Sequence, residues 1–496
     1  MGAPATETKL NPCIIEPVDV EAVNQREKRE LYASRQKIYP KLASGSFRNL
    51  KTVLMIVTLG IYYAVPWIRW DRGADLPSQA VLLDLEHQRF FLFDLEIWPQ
   101  EFYYVTGLLI LASLTLFLVT SLAGRVWCGY FCPQTVWTDL MISVERLWQG
   151  DRNARIRLDK APWTPAKIFK KSMTHVSWLL IALATGGAYV FYFADAPTLF
   201  GQLFSGTAPA AAYMFIGILT FTTYLLGGIA REQVCTYMCP WPRIQGAMID
   251  QHSYLVSYRG YRGEPRGAHH KGETWDQRGD CVDCKACVAV CPMGIDIRDG
   301  SQLECIQCAL CIDACNDIMT KVGRPQNLIA YDTISGVTSA SKCEKGAPVS
   351  LVRTRTLLYA GMIALVGLIM GIALANRSLL DVNVLADRNP FFVRLSNGDV
   401  RNGYTLKILN KLHEPRRFDL DILGLPGAKL SVVGQDNTGD PEILVPTDVL
   451  REIRVFVSVP AAELQKINAR GEHFTFLVTD KESGRVSRRM TTFRGP

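Results

Sequence analysis

Histidine is scarce in this 496-residue chain: seven occur, at His87, His175, His252, His269, His270, His413 and His473. Of these only His175 falls beside a long apolar run, which excludes a b-type haem held by two facing imidazoles across a bilayer. The adjacent His269-His270 pair reads as a solvated loop rather than a metal site. No G-x-G-x-x-G or P-loop pattern stands in a strand–helix setting, so no nicotinamide or ATP site is expected. Met1–Leu50 is polar and charged and has no apolar core before a cleavage site, so no secretory signal is expected there. Charged residues make up only 20% of the chain, and the net charge of +7 sits mainly beside apolar segments. Nucleic acid is therefore not an expected partner.

What is present is long apolar runs separated by basic stretches. Five runs approach the length of a bilayer-crossing helix, about 20 residues. They are Val53–Trp67, Tyr103–Leu122, Met173–Phe193, Ala210–Ile229 and Thr356–Ala375. One such run could be a buried core helix, but five in one chain argue for a membrane region, with lipid as surroundings. Basic residues crowd the N-terminal arm (Arg26 to Lys51) and the stretch between the second and third runs (Arg125 to Lys171). The Ala194–Ala208 connection has neither Lys nor Arg, and Arg69–Glu101 is mainly acidic. By the positive-inside rule the N-terminus lies in the cytoplasm, five crossings put the C-terminus outside, and Arg231–Arg355 is cytoplasmic. From about Val400 onward the pattern changes to short β-branched and aromatic runs: Tyr404–Leu409, Phe418–Leu423, Lys429–Val433, Arg454–Val459 and Phe474–Val478. Turn signals separate them, which predicts a small all-β, Ig-like sandwich without a cysteine, suited to docking or structure.

The chain has 14 cysteines, most of them at metal-ligand spacings rather than in the pattern of a secreted disulfide scaffold. Two tandem runs read Cys281-x2-Cys284-x2-Cys287-x3-Cys291-Pro292 and Cys305-x2-Cys308-x2-Cys311-x3-Cys315. This is the bacterial ferredoxin spacing, in which three close cysteines wrap one [4Fe–4S] cluster and the fourth reaches across to the other. One cluster is expected on Cys281, Cys284, Cys287 and Cys315, the second on Cys305, Cys308, Cys311 and Cys291. Zinc sites commonly pair two distant C-x2-C units, so two complete four-cysteine runs favour the clusters. Asn316 stands where the second run would carry its proline; proline is not a ligand. Two such clusters form a relay that moves electrons singly. Cys13 and Cys343 stand alone and are expected to be bystanders.

The membrane region contains a repeat. Arg125-Val-Trp-Cys128-Gly-Tyr130-Phe-Cys132-Pro133 follows the second run, and Arg231-Glu-Gln-Val-Cys235-Thr-Tyr237-Met-Cys239-Pro240 follows the fourth. Both contain Cys-x-Tyr-x-Cys-Pro, and two hairpins of like topology can bring the pairs together as a four-thiol site. Soft thiolates suit Cu(I) best, with zinc or another iron–sulfur centre as alternatives; a redox disulfide and plain buried packing are further readings. If the helix ran through each motif its cysteines would share one face, but the proline biases the residue before it away from helix. Met238 is a weak further thioether ligand.

These residues in this order resemble the cytochrome c oxidase accessory protein family called CcoG, FixG or RdxA, which is similar to the membrane polyferredoxins of nitrate and nitrous-oxide respiration. The likeness runs from about Ser46 to the C-terminus. It implies a multi-pass protein of the bacterial inner membrane that reduces Cu(II) to Cu(I) for assembly of cbb3-type cytochrome oxidase. Copper is then the substrate ion, and Cys128, Cys132, Cys235 and Cys239 are the copper-handling thiols. Implied partners are an unidentified cytoplasmic electron donor and either oxidase assembly components or copper transporters. Composition and spacing do not themselves name copper. The alternatives are a quinol-linked electron-transfer subunit and a non-catalytic assembly factor that docks through its outer β-domain. The expected architecture is a basic cytoplasmic arm (1–50), a four-span region with both repeats (51–240), an α+β two-cluster ferredoxin insert (241–350), a fifth span (355–376) and the sandwich (385–496).

Overall fold

The computed structural model describes residues 18, 20–23, 36–73, 76–269, 275–276, 278–342, 350–377, 380–411, 414–434, 442–447, 450–464 and 471–495. Cys13, Cys343, His270 and His413 lie outside the described residues. The chain forms two compact units, Met1–Met370 and Gly371–Pro496.

Among the described residues of the chain, five helices are long and apolar enough to cross a bilayer: Ser46–Trp67, Pro99–Ala123, Pro165–Val190, Ala210–Ala230 and Thr354–Ala375. They coincide with the five expected runs. The third starts eight residues earlier than its apolar stretch, because Thr164 accepts the Lys167 N–H and Pro165 presets the first turn. Its first turns therefore carry Lys167, Lys170 and Lys171. The fourth changes to π-helical geometry over Tyr224–Ala230, a form common at functional sites. The last helix is apolar all round and leaves Leu357, Leu365 and Ile372 more than half exposed, as a lipid-facing helix does.

The connections are more structured than their composition suggests. Between the first two spans, Val81–Asp84, Arg89–Leu92 and Leu95–Ile97 form an antiparallel sheet. Between the third and fourth lies the helix Ala196–Ser205, capped by Asp195. Between the second and third spans, helices Pro133–Gln149 and Arg152–Lys160 carry most of the basic residues. Several of these cations turn inward: Arg155 is fully buried and donates to Glu145 at 3.1 Å. Arg231 reaches the same carboxylate at 2.8 Å.

The insert is α+β. Strands Tyr254–Tyr258 and Ile329–Thr333 pair antiparallel, and helices Ala286–Val290 and Leu310–Lys321 begin within the two cysteine runs. The second helix runs on through Cys315 to Lys321, whereas the first stops at Cys291. A proline at 316 would break that longer helix, which accounts for Asn316. The described part of the N-terminal arm lies along this insert: Val18, Val23 and Lys41 donate backbone N–H groups to the carbonyls of Cys284, Gly294 and Ala289.

The second unit is a sandwich. One sheet orders Lys429–Val432, Leu450–Val459, Val400–Asn410 and Leu380–Ala386, with Val393–Arg394 added to Val400–Asn410. The facing sheet orders Glu442–Val445, Arg416–Leu423, Glu472–Asp480 and Val486–Phe493, and all pairs are antiparallel. Burial alternates along Val400–Asn410 and Glu472–Asp480, as half-buried strands require. Tyr404, Phe418, Phe474 and Phe476 fill the core, and the Tyr404 hydroxyl is satisfied by the Thr492 carbonyl at 2.9 Å. The five expected strands are present. Val486–Phe493 escapes the sequence pattern because its exposed positions include Arg488, Arg489 and Met490.

Candidate iron–sulfur and thiol centre

Both cysteine runs adopt one local geometry. The residues on either side of the second cysteine sit at positive φ: Asp283 (50°) and Lys285 (55°) in the first run, Gln307 (56°) and Ala309 (59°) in the second. Such angles are unfavourable for residues with a Cβ, and here they turn backbone donors toward sulfur. The N–H groups of Ala286 and Gln307 hydrogen-bond to Cys284 and Cys305, and those of Met293 and Ile295 to Cys291. Cys281, Cys284, Cys287 and Cys315 line one cavity of ≈ 340 Å³. Cys291, Cys305, Cys308 and Cys311 line another of ≈ 380 Å³, which Cys287 also borders. The eight cysteines are thus drawn into two groups, each combining three residues of one run with the fourth of the other.

These residues fit cubane clusters. Four thiolates on one zinc ion would lie at its bond length of about 2.3 Å. Among the described residues no three His, Cys, Asp or Glu side chains gather as a single-ion site. Four sulfurs spread around an apolar cavity instead suit a polynuclear centre. Burial pushes the Cys291 and Cys315 thiols up to about 12 and Cys305 to about 11. A coordinating cation is what deprotonates such thiols.

The repeat motifs meet beside this domain. Each first cysteine lies in a helical turn, Val126–Tyr130 or Val234–Met238. Each second cysteine, Cys132 and Cys239, takes an extended ψ of 125° before its proline, so the helix does not run through the motif. The four thiols lie within electrostatic reach of one another: Cys132 and Cys239 both act on Cys128 and on Cys235. Burial pushes Cys128 up, and Cys235 to about 12. Cys128 donates to the Gln245 side-chain carbonyl at 3.1 Å. Met238 is 64% exposed, whereas Cys235 and Cys239 are partly buried. His269 stacks on Trp275, with ring centroids 4.2 Å apart.

Several residues that join the two parts are not evident from spacing. Cys128 and Cys235 pack in one apolar cluster with Cys291, Cys305, Cys308 and Cys311. The second cavity therefore adjoins the membrane thiols, while the first lies beyond it. Gly129 makes this approach possible: a Cβ there would stand 2.8 Å from the Ile306 carbonyl oxygen and 3.1 Å from the Cys308 Cα. Tyr130 donates to the Cys308 carbonyl at 3.2 Å, and Arg125 to the carbonyls of Leu303 and Cys305. On the other side, the Asp313 carboxylate accepts the N–H groups of Phe47 (3.3 Å) and Arg48 (2.8 Å), capping the first span from within the insert. The sequence signal for these was a glycine inside a cysteine motif and an aspartate between two ligands.

Five bilayer-length helices and a two-cavity cysteine insert define a membrane-bound iron–sulfur protein of the electron-transfer class. A model described as "4Fe-4S dicluster domain" matches residues 230–334, and one described as "4Fe-4S binding domain" matches 105–149. Each of these spans includes one Cys-x-Tyr-x-Cys-Pro motif. A third model, for the Ig-like fold at the C-terminus of FixG, matches 370–496. The chain is 50% identical to "Nitrogen fixation protein FixG" of Rhizobium meliloti, over 94% of each chain. It is 50% identical to "Protein RdxB" of Cereibacter sphaeroides, covering 94% of this chain and 97% of that one. "Protein RdxA" of the same organism is 51% identical, with 87% and 91% covered. The chain belongs to the FixG/RdxA family.

Proposed function

We propose that this protein is a cupric reductase of the bacterial inner membrane, supplying Cu(I) for assembly of cbb3-type cytochrome oxidase. The observation that carries the reading is the apolar cluster that Cys128 and Cys235 share with Cys291, Cys305, Cys308 and Cys311. Clusters bound in the two cavities supply one-electron transfer. The chain's own residues do the rest. Cys281, Cys284, Cys287 and Cys315 hold the outer centre, and Cys305, Cys308, Cys311 and Cys291 the inner one. Cys128, Cys132, Cys235 and Cys239, no three of which gather as a ready-made single-ion site, offer soft sulfur to the substrate ion, which favours the reduced form, Cu(I), over Cu(II). Each turnover takes one electron from a low-potential cytoplasmic donor and converts one Cu(II) to one Cu(I). Arg125 and Gly129 keep the inner ligand loop against the thiols. The charge bias of the connections supports a cytoplasmic side for the clusters and a periplasmic side for the sandwich, where it would meet oxidase assembly components or copper transporters.

The test is a Cu(I)-chelator assay on anaerobically purified, dithionite-reduced protein. The Cys128→Ser/Cys235→Ser double variant should lose most Cu(I) formation while keeping the EPR signals of both clusters. Undiminished copper reduction with intact clusters would remove the site assignment. A second reading is favoured by the "4Fe-4S binding domain" match over 105–149, which covers Cys128 and Cys132: the four thiols hold a third iron–sulfur centre. Iron analysis separates the two, with about eight irons per chain for two [4Fe–4S] clusters and about twelve for three.

A further inference from the structure

A cavity of ≈ 620 Å³ lies where the third and fourth spans meet helix Pro133–Gln149, on the side of the membrane region that carries the clusters. Nothing proposed above uses it. Lys37, Glu145, Lys171, Trp178, Ile229 and Arg231 are among its walls. Its charges do not balance. Lys37 stands 3.3 Å from Glu145 and 3.0 Å from Asp159. Arg155 and Arg231 share Glu145, and Lys171 pairs with Asp159. Four cations thus share two carboxylates, leaving two positive charges in excess. The side chains of Glu145, Arg155 and Arg231 are at most 4% exposed, while those of Lys171 (19%) and Lys37 (38%) reach the mouth, so water screens the inner part of this excess poorly. A partly dehydrated cationic group of this kind calls for an anion.

The shape narrows the ligand. Lys171 and Trp178 are seven residues apart on one helix, about 10 Å along its axis, and the Arg231 guanidinium stacks on the Trp178 ring at 5.1 Å, so cations line the recess from its mouth to its aromatic inner wall. Outside it, Leu179 and Leu183, which continue the Lys171–His175 row of the same helix at steps of four residues, are 51% and 49% exposed, an apolar strip leading away from the rim. A charged head with an apolar tail fits both. Basic pockets between spans are known headgroup sites.

We propose that this cavity binds the phosphate headgroup of an anionic membrane lipid between Lys37, Lys171 and Arg231, with its acyl chains along Leu179 and Leu183. The bound phosphate completes the charge pairing around Glu145. It also joins the N-terminal segment, through Lys37, to the backbone that leads from Arg231 to Cys235.

The experiment uses the full chain with its clusters, reconstituted in vesicles of phosphatidylcholine alone or with added phosphatidylglycerol. Phosphatidylglycerol should survive delipidation in native mass spectra and raise the melting temperature, while phosphatidylcholine does neither. Lys37→Gln and Lys171→Gln should each weaken phosphatidylglycerol binding about fivefold, with cluster absorbance as the control for folding. Equal retention of the two lipids, or variants that fold and bind as the parent does, would overturn the proposal. If neither variant folds, the contrast between lipids in the parent protein decides alone. Equal protection by inorganic phosphate in phosphatidylcholine vesicles would keep the anion site and overturn the lipid as its source.

Discussion

The two copies of the Cys-x-Tyr-x-Cys-Pro motif share a sequence and differ in what they hold. In the first, Arg125 turns to the insert and donates to the carbonyls of Leu303 and Cys305. In the second, Arg231 turns into the membrane scaffold, to Glu145 and the Gly228 carbonyl. The spacing differs by one residue, since Arg125 precedes Cys128 by three and Arg231 precedes Cys235 by four. An extra residue in a helix is accommodated as a π turn, and Val234–Met238 is π-helical where Val126–Tyr130 is α-helical. Arg231 itself sits at a φ of 46°. The glycine at 129 lets one copy touch a ligand loop, whereas the other carries Thr236 there, whose hydroxyl donates to the Glu232 carbonyl. One half of the repeat has become the seat of the cluster domain and the other the anchor to the spans.

The comparison can be broken at several points. The largest effect should come from Glu145→Gln, which leaves Arg155 and Arg231 without their shared carboxylate. Loss of one partner in a buried ion group costs about 3–5 kcal/mol, read as a large drop in melting temperature. The same carboxyl predicts an acid limit. Burial alone would raise it, but Arg231, Lys37 and Arg155 outweigh burial and hold it at about 2, against an ordinary 4.5. Because the folded value is the lower one, its contribution of about 3 kcal/mol is complete above pH 4.5 and fades as pH falls toward 2. Melting curves of parent and Glu145→Gln should converge over that window; parallel curves would refute the assignment.

Next in size is Gly129→Ala, which should cost about 1–3 kcal/mol by forcing the Ile306–Cys308 loop away from the motif. The mirror change, Thr236→Gly, should cost no more than about 1 kcal/mol, the helical penalty of glycine. Comparable losses from both would mean the repeat is less asymmetric than the contacts indicate. Asp313→Ala removes the cap on the first span and should cost about 1–2 kcal/mol, without altering iron content. Smallest of all is Met238→Leu, expected within about 0.5 kcal/mol of the parent and without effect on Cu(I) formation.

The spans were legible because bilayer crossing demands long apolar runs whatever surrounds them. The cluster ligands were legible because a cubane constrains cysteine spacing locally, and the crossed grouping follows from two runs in tandem. Strands such as Arg416–Leu423 and Glu472–Asp480 showed by their alternation, while Val486–Phe493, rich in exposed polar residues, did not. Asp313, Gly129 and Arg125 were hidden in plain view: each owes its role to a partner more than 170 residues away. The buried charge group around Glu145 was misleading in sequence, since its arginines counted only as flanking basic residues.

The amino-acid sequence by itself determined five apolar helices, two tandem cysteine quartets and a repeated thiol motif, because each rests on neighbours along the chain. Only the tertiary structure decided which quartet faces the membrane thiols and which copy of the motif grips the cluster domain. Those choices depend on a missing Cβ at 129, on a carboxylate at 145 shared by distant cations, and on where two arginines find their acceptors. None of these is written in local spacing, because close packing and charge pairing act between residues that only the fold brings together.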